Sequence, residues 1–175
     1  LTSTNSATIR AALVALDQMK NGGLQAADVI RHMSSPDAAL RASAAWIVNQ
    51  HSDWGPELKS YFEQRLAKAA DLTEVDREQD RQLLASLANA PDIQALLLAT
   101  LTNNSNKAGR QQSLAVMASS GLTATPASWL DALAKVLTSA DKETLPLAIA
   151  AAQNLPMPKE GHAGLRDALA KIAAD

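Results

Sequence analysis

The feature that most constrains this chain is the spacing of its aliphatic residues. Ile9, Leu13, Leu16 and Met19 lie three or four positions apart, as do Leu40, Ala44, Ile47 and Val48. Leu58, Phe62 and Leu66 repeat the pattern. So do Leu83, Leu84 and Leu87; Ile93, Leu96, Leu97 and Leu101; Leu130, Leu133 and Leu137; and Leu165, Leu169 and Ile172. Such spacing puts each set on one face of an α-helix. No run of alternating β-branched residues is long enough to make a strand. The pattern predicts an all-α chain of about ten helices, over 6–20, 24–34, 36–51, 55–70, 74–89, 92–103, 106–120, 126–138, 141–154 and 162–174.

The residues between the stripes read as starts and stops. In Ser35-Pro36-Asp37, Ser35 can accept from the free N–H groups of a first turn, Pro36 suits the first helical position, and Asp37 meets the positive end of the helix dipole. Thr125-Pro126 repeats the device, and Thr73 with Asp76 resembles a capping box with Asp in place of Glu. Gly22-Gly23 and Gly121 are expected to end helices, and the Asn-rich "TNNSNKAG" to turn between two of them. Short connections predict antiparallel packing of neighbours in the sequence.

Three segments look like copies of one another: "DAALRASAAWIVNQ", "NKAGRQQSLAVMAS" and "KETLPLAIAAAQN". Each is a polar start followed by a helix of small and aliphatic residues. Aligning Arg41, Arg110 and Leu145 gives separations of 69 and 35 residues, the first close to twice the second. A period in the mid-thirties built from two helices is the mark of an α-solenoid. The predicted fold is therefore a HEAT-like α-α superhelix, an armadillo-type solenoid, forming a single domain over 1–175. Its last helix reads as the opening half of a pair, with Leu165, Leu169 and Ile172 as an intact apolar stripe. We therefore expect a segment of a longer protein with aliphatic surface exposed at one or both ends.

Composition excludes several functional classes. Hydrophobic residues make up 47% of the chain but aromatic residues only 3%, so the core is aliphatic and rich in alanine, which lets helices approach closely. The net charge of -2 lacks the basic excess of a general nucleic-acid binder. There is no cysteine, so disulfides, thiolate metal sites and a Cys nucleophile are excluded within this chain. No apolar run approaches the roughly 18–20 residues of a membrane-spanning helix. The opening "LTSTNSATIR" lacks the basic and apolar regions of a signal peptide.

The stretch "SPDAALRASAAWIVNQHSDWGPELKSYFEQRL" resembles the HEAT-repeat segment of large multidomain proteins of planctomycetes and their relatives, the PVC-type haem-binding or membrane-bound-dehydrogenase-like proteins. "DREQDRQLLASLANAPDIQALL", "SLAVMASSGLTATPASWLDALAKVL" and "AIAAAQNLPMPK" fit the same family in the same order. The resemblance implies a helical scaffold between a sugar-dehydrogenase-like propeller and a c-type cytochrome module, in an exported, periplasmic setting. Family haem is attached through Cys-x-x-Cys-His. No such motif exists here, so any haem belongs elsewhere in the parent protein and no cofactor is expected in this chain.

The densest polar and aromatic cluster is His51-Ser52-Asp53-Trp54. It can be read as a ligand contact or acid–base pair where two helices meet. It can equally be an interhelical corner, with Asp53 or Gly55 capping the next helix, Pro56 starting it, and Trp54 buried beneath; loop chemistry favours the corner. His32, His51 and His162 lack metal-ligand spacing and are expected to be surface or corner residues. Met157, alone among the methionines, falls on a predicted loop, where gap filling is weighed against a haem axial role. The charge-rich "DREQDRQ" (76–82) is expected to be a solvated helix face, with partner binding as the alternative. No dinucleotide, Walker, Gly-x-Ser-x-Gly or His-Glu-x-x-His motif occurs. The expected function is a non-catalytic scaffold that contacts a protein partner or neighbouring domains. The alternative is an enzyme or cofactor-binding domain with its site near His51, Asp53 and Trp54.

Overall fold

The structure is a computed structural model that describes residues 4–174. Among them it shows ten α-helices and no strand: α1 (Ser6–Gln18), α2 (Ala26–Ile30), α3 (Ala38–Gln50), α4 (Gly55–Ala67), α5 (Glu74–Ser86), α6 (Pro91–Thr102), α7 (Lys107–Ser119), α8 (Ala127–Ser139), α9 (Leu145–Asn154) and α10 (Ala163–Ala174). Two 3-10 turns, Ser52–Trp54 and Ala69–Asp71, lead towards α4 and α5.

The helix starts follow from side-chain caps. Asn5 accepts from the N–H groups of Ala7 and Thr8 at α1, Asp37 from Leu40 at α3, Thr73 from Asp76 at α5, and Asn106 from Gly109 at α7. Thr73 also donates its hydroxyl to Asp76, which completes a variant of the expected capping box. Asp37, not Ser35, caps α3, and Pro36 lies outside the helix; the Ser35 hydroxyl oxygen accepts from Asp37 N–H instead. Thr125 does not cap α8 either: its hydroxyl donates to the Pro156 carbonyl. The α9 helix begins four residues later than its spacing predicts. Asp141 accepts from the N–H groups of Glu143 and Thr144 and holds a separate turn ahead of it. Gly121 follows the end of α7 at Ser120 with φ of 59°, the left-handed region in which a Cβ is strained; α1 ends earlier than expected, at Met19, so Gly23, with φ of 65°, turns the loop beyond it and does not stop the helix.

Arginine recurs at the fourth position of α3, α5 and α7, as Arg41, Arg77 and Arg110. Arg41 donates to the carbonyls of Ser35 and Pro36, and Arg77 to those of Ala69 and Leu72. Each ties the helix to the loop before it. Arg77 stands 36 residues after Arg41 and 33 before Arg110.

The chain forms two compact units, Leu1–Phe62 and Glu63–Asp175. In the first, α1 and α2 both pack on α3 around Leu13, Val29, Leu40, Ile47 and Val48. In the second, α5, α7 and α9 pack in one rank and α6, α8 and α10 in another, with α6 against α7 and α8 against α9. Leu84, Leu97, Leu114, Trp129, Leu130 and Leu133 fill the space between. Side chains also bond to main chain across this unit: Gln112 Nε2 donates to Arg77 O at 2.6 Å and Trp129 Nε1 to Gln94 O at 3.1 Å, both pairs 35 residues apart. Asn106 Nδ2 donates to Leu66 O at 2.9 Å.

Candidate functional site

The "HSDW" cluster lies where α3 ends. His51 closes α3, with its N–H on the Val48 carbonyl, and the 3-10 turn carries the chain straight into α4 at Gly55. The imidazole Nε2 is 2.7 Å from Asp17 Oδ1, and the Asp17 side chain is only 5% exposed. The ring stacks on the Trp54 indole with centroids 4.0 Å apart and planes 6° apart. Trp54 is buried. His51 Nδ1 is 3.7 Å from Asp53 Oδ1, beyond hydrogen-bond distance, and Asp53 is 76% exposed.

The arrangement thus brings together His51, Trp54 and, from α1, Asp17, while Asp53 stays at the edge in water. A buried carboxylate on one nitrogen and an aromatic plane beneath the ring fix the imidazole in place. In a hydrolase such a pair would orient a base toward a substrate. Here the bond runs from the end of α3 to the end of α1, and it clamps two helix ends together.

The other histidines serve different ends. His162 is the start residue of α10: its Nδ1 accepts from Leu165 N–H at 3.1 Å. That nitrogen carries no proton, so Nε2 carries it and donates to Asp131 Oδ1, also at 3.1 Å. His32 follows α2, and its Nε2 is buried with no partner among the described residues. Burial, and then the nearby Arg31 charge, push its pKa below the usual histidine value. Among the described residues no group of three or more His, Asp or Glu is placed to hold a metal ion.

The charge-rich stretch on α5 is not a uniformly solvated face. Asp80 is buried and accepts from Arg65 Nε at 2.7 Å. Burial pushes its carboxyl above the usual range, and the Arg65 bond works against that shift. Glu78 and Arg81 pair on the outer side, and the Arg81 bond holds the Glu78 pKa low.

A second feature is a cavity of about 320 Å³ beside α10, walled by Ala152, Met157, Gly161, His162, Leu165, Arg166 and Leu169. Met157 lies on the α9–α10 loop, as its spacing predicts, and is 42% exposed. The wall is aliphatic except for His162 and Arg166, and His162 is already committed to the start of α10 and to Asp131. The cavity therefore suits an apolar side chain better than a reacting polar group.

Neither a family model, a curated protein nor a solved structure matches this chain. Among the described residues no helix is long and apolar enough to cross a membrane.

Proposed function

We propose that this chain is a HEAT-like, armadillo-type α-solenoid, a non-catalytic scaffold that contacts a protein partner or the neighbouring domains of its own polypeptide. The observation that carries this is the packing of the second unit: α7 lies on α5, α9 on α7, α8 on α6 and α10 on α8. Side-chain bonds reaching about one period along the chain support it, as do the arginines at the fourth position of alternate helices. A stack of this kind meets its partners along an extended surface, with no need of a catalytic pocket. The resemblance to the PVC-type haem-binding proteins extends the proposal to an exported redox protein whose c-type haem sits in another module.

The test is native-state hydrogen exchange across the intact chain. A solenoid opens in blocks of about one helix pair, because each pair touches only its neighbours. Protection lost in a single step over all of α5 to α10 would overturn the solenoid.

The bond between His51 and Asp17 favours a second reading, an acid–base site at the corner. Its test is replacement of His51 and Asp53 together by Ala in the parent protein. Loss of activity by several orders of magnitude at unchanged stability would establish the site and displace the scaffold.

A further inference from the structure

We propose that Asn21, in the turn after α1, is a self-modification site: it loses ammonia through a cyclic imide with Gly22, and the isoaspartate that results loosens the end of α1. The chain has eight asparagines, and only Asn21 is followed by glycine. The reaction needs a backbone nitrogen that can reach the side-chain carbonyl of the residue before it, and a Cβ beside that nitrogen stands in the way. Gly22 has none. Asn21 is exposed, and among the described residues its amide makes no hydrogen bond. The other asparagines are held or hindered. Asn5 and Asn106 cap helices, Asn103 accepts from Ser105 N–H, and Asn154 donates to the Ala150 carbonyl. Asn49 lies inside α3, and Asn89 and Asn104 precede Ala90 and Ser105, which both carry a Cβ.

The chemistry balances with water alone. The Gly22 nitrogen gives up its proton to solvent base and attacks Asn21 Cγ. A C–N bond forms, the bond from Cγ to the side-chain nitrogen breaks, and ammonia leaves. Water then opens the five-membered ring. Breaking the new bond at Cγ leaves an ordinary aspartate. Breaking the bond at the main-chain carbonyl carbon leaves isoaspartate, in which the backbone runs through the side chain and is one methylene longer.

The fold sets both the rate and the consequence. Gly22 N–H donates to Met19 O at 3.0 Å, so the nitrogen is free to react only when that turn opens. Met19, Lys20 and Asn21 are all exposed at the end of α1, where opening is easier than in the core. Gly22 also lies tightly against α1: a Cβ there would stand 1.9 Å from the Leu16 carbonyl oxygen. A backbone lengthened by a methylene displaces Gly22 from that place and from Met19 O. The product also puts a new carboxylate at the negative end of the α1 dipole. Both changes fall about one turn beyond Asp17, whose carboxylate holds the His51 ring.

The experiment is peptide mapping by mass spectrometry on the full chain stored in mildly alkaline buffer, beside the same chain stored in denaturant. Expected in the folded chain is conversion of amide to acid at Asn21, with isoaspartate the larger product. Asn104 should convert roughly tenfold more slowly, a barrier higher by about 1.4 kcal/mol. The denatured chain should convert faster at Asn21, since its Gly22 N–H is free. Asn21→Gln should abolish the conversion, because its ring would need a sixth member. Hydrogen exchange then separates charge from chain length. The isoaspartate form should lose protection over the last turn of α1, and Asn21→Asp, which adds the carboxylate alone, should lose less. A folded chain unchanged at Asn21 while the denatured chain converts overturns the proposal. So does equal conversion at Asn21 and Asn104, and so does an isoaspartate form whose α1 end stays as protected as in the fresh chain.

Discussion

The helices α8 and α10 are one pattern placed in two surroundings. In both, the third residue is buried: Trp129 in α8 and Leu165 in α10. They part at the seventh and tenth positions, where Leu133 and Val136 are sealed and Leu169 and Ile172 are half open. They part again at the fourth, where Leu130 gives way to Arg166. An apolar stripe at helical spacing therefore predicts which side faces inward. How completely that side is covered depends on the helices that flank it, and only a change such as Leu to Arg marks in the sequence an edge left in water.

The largest test of this contrast is at the third position. Trp129→Ala should cost about 4 kcal/mol, from the emptied volume and the lost indole bond to the Gln94 carbonyl, against about 2 kcal/mol for Leu165→Ala. Denaturant titrations at constant slope measure both, and equal losses would break the contrast. Next come Leu133→Ala at about 3 kcal/mol and Leu169→Ala at about 1 kcal/mol, since a half-exposed side chain leaves a smaller cavity. A cost at Leu169 matching that at Leu133 would mean that something already covers the α10 face.

The starts of the two helices differ as well. The α8 helix has no side-chain cap, while α10 begins on the His162 ring. His162→Ala should lower the thermal midpoint by the equivalent of about 1 kcal/mol, the scale of a lost cap, and Pro126→Ala should cost less. The reverse order would remove His162 from this role.

The smallest effect expected is a pH dependence at Asp141, in the turn between α8 and α9. Burial opposes ionisation there, but the N–H groups of Thr144 and Glu143, with Lys107, bring its pKa down from 3.8 to about 2. Because the folded value is the lower one, its contribution to stability is present above pH 3.8 and is lost as pH falls toward 2. Asp141→Asn should flatten that part of the acid unfolding curve. An unchanged curve would show that the Asp141 bonds contribute nothing in solution.

Much of the local structure was legible in advance. All ten expected helices occur, with bounds shifted by a few residues: Asp37 caps α3 in place of Ser35, and a separate turn held by Asp141 delays the start of α9. The "HSDW" stretch joins α3 to α4 with Trp54 buried, and its bond to Asp17 had no signal in the sequence. Asp17 lies 34 residues before His51, at a separation where no rule of helix spacing links two side chains. The run "DREQDRQ" misled for a related reason. Its charges look alike in sequence, yet Asp80 is turned inward onto Arg65 and Arg77 onto the preceding loop. The one signal that could have singled out Arg77 was its place in the ladder between Arg41 and Arg110.

The sequence by itself determined where helices run, where they start and which stripe each turns inward. Helical hydrogen bonds, caps and the 3.6-residue period all act within about four residues, so neighbours in the chain suffice to set them. Only the tertiary structure decided that Trp129 is enclosed and Trp46 exposed, that Asp17 meets His51, and that Leu133 and Leu169 differ in burial. The burial of Trp129 and Leu133 and the bond from His51 to Asp17 each depend on a surface brought in from about thirty-five residues away. Helix propensity is indifferent to that surface, and packing alone supplies it.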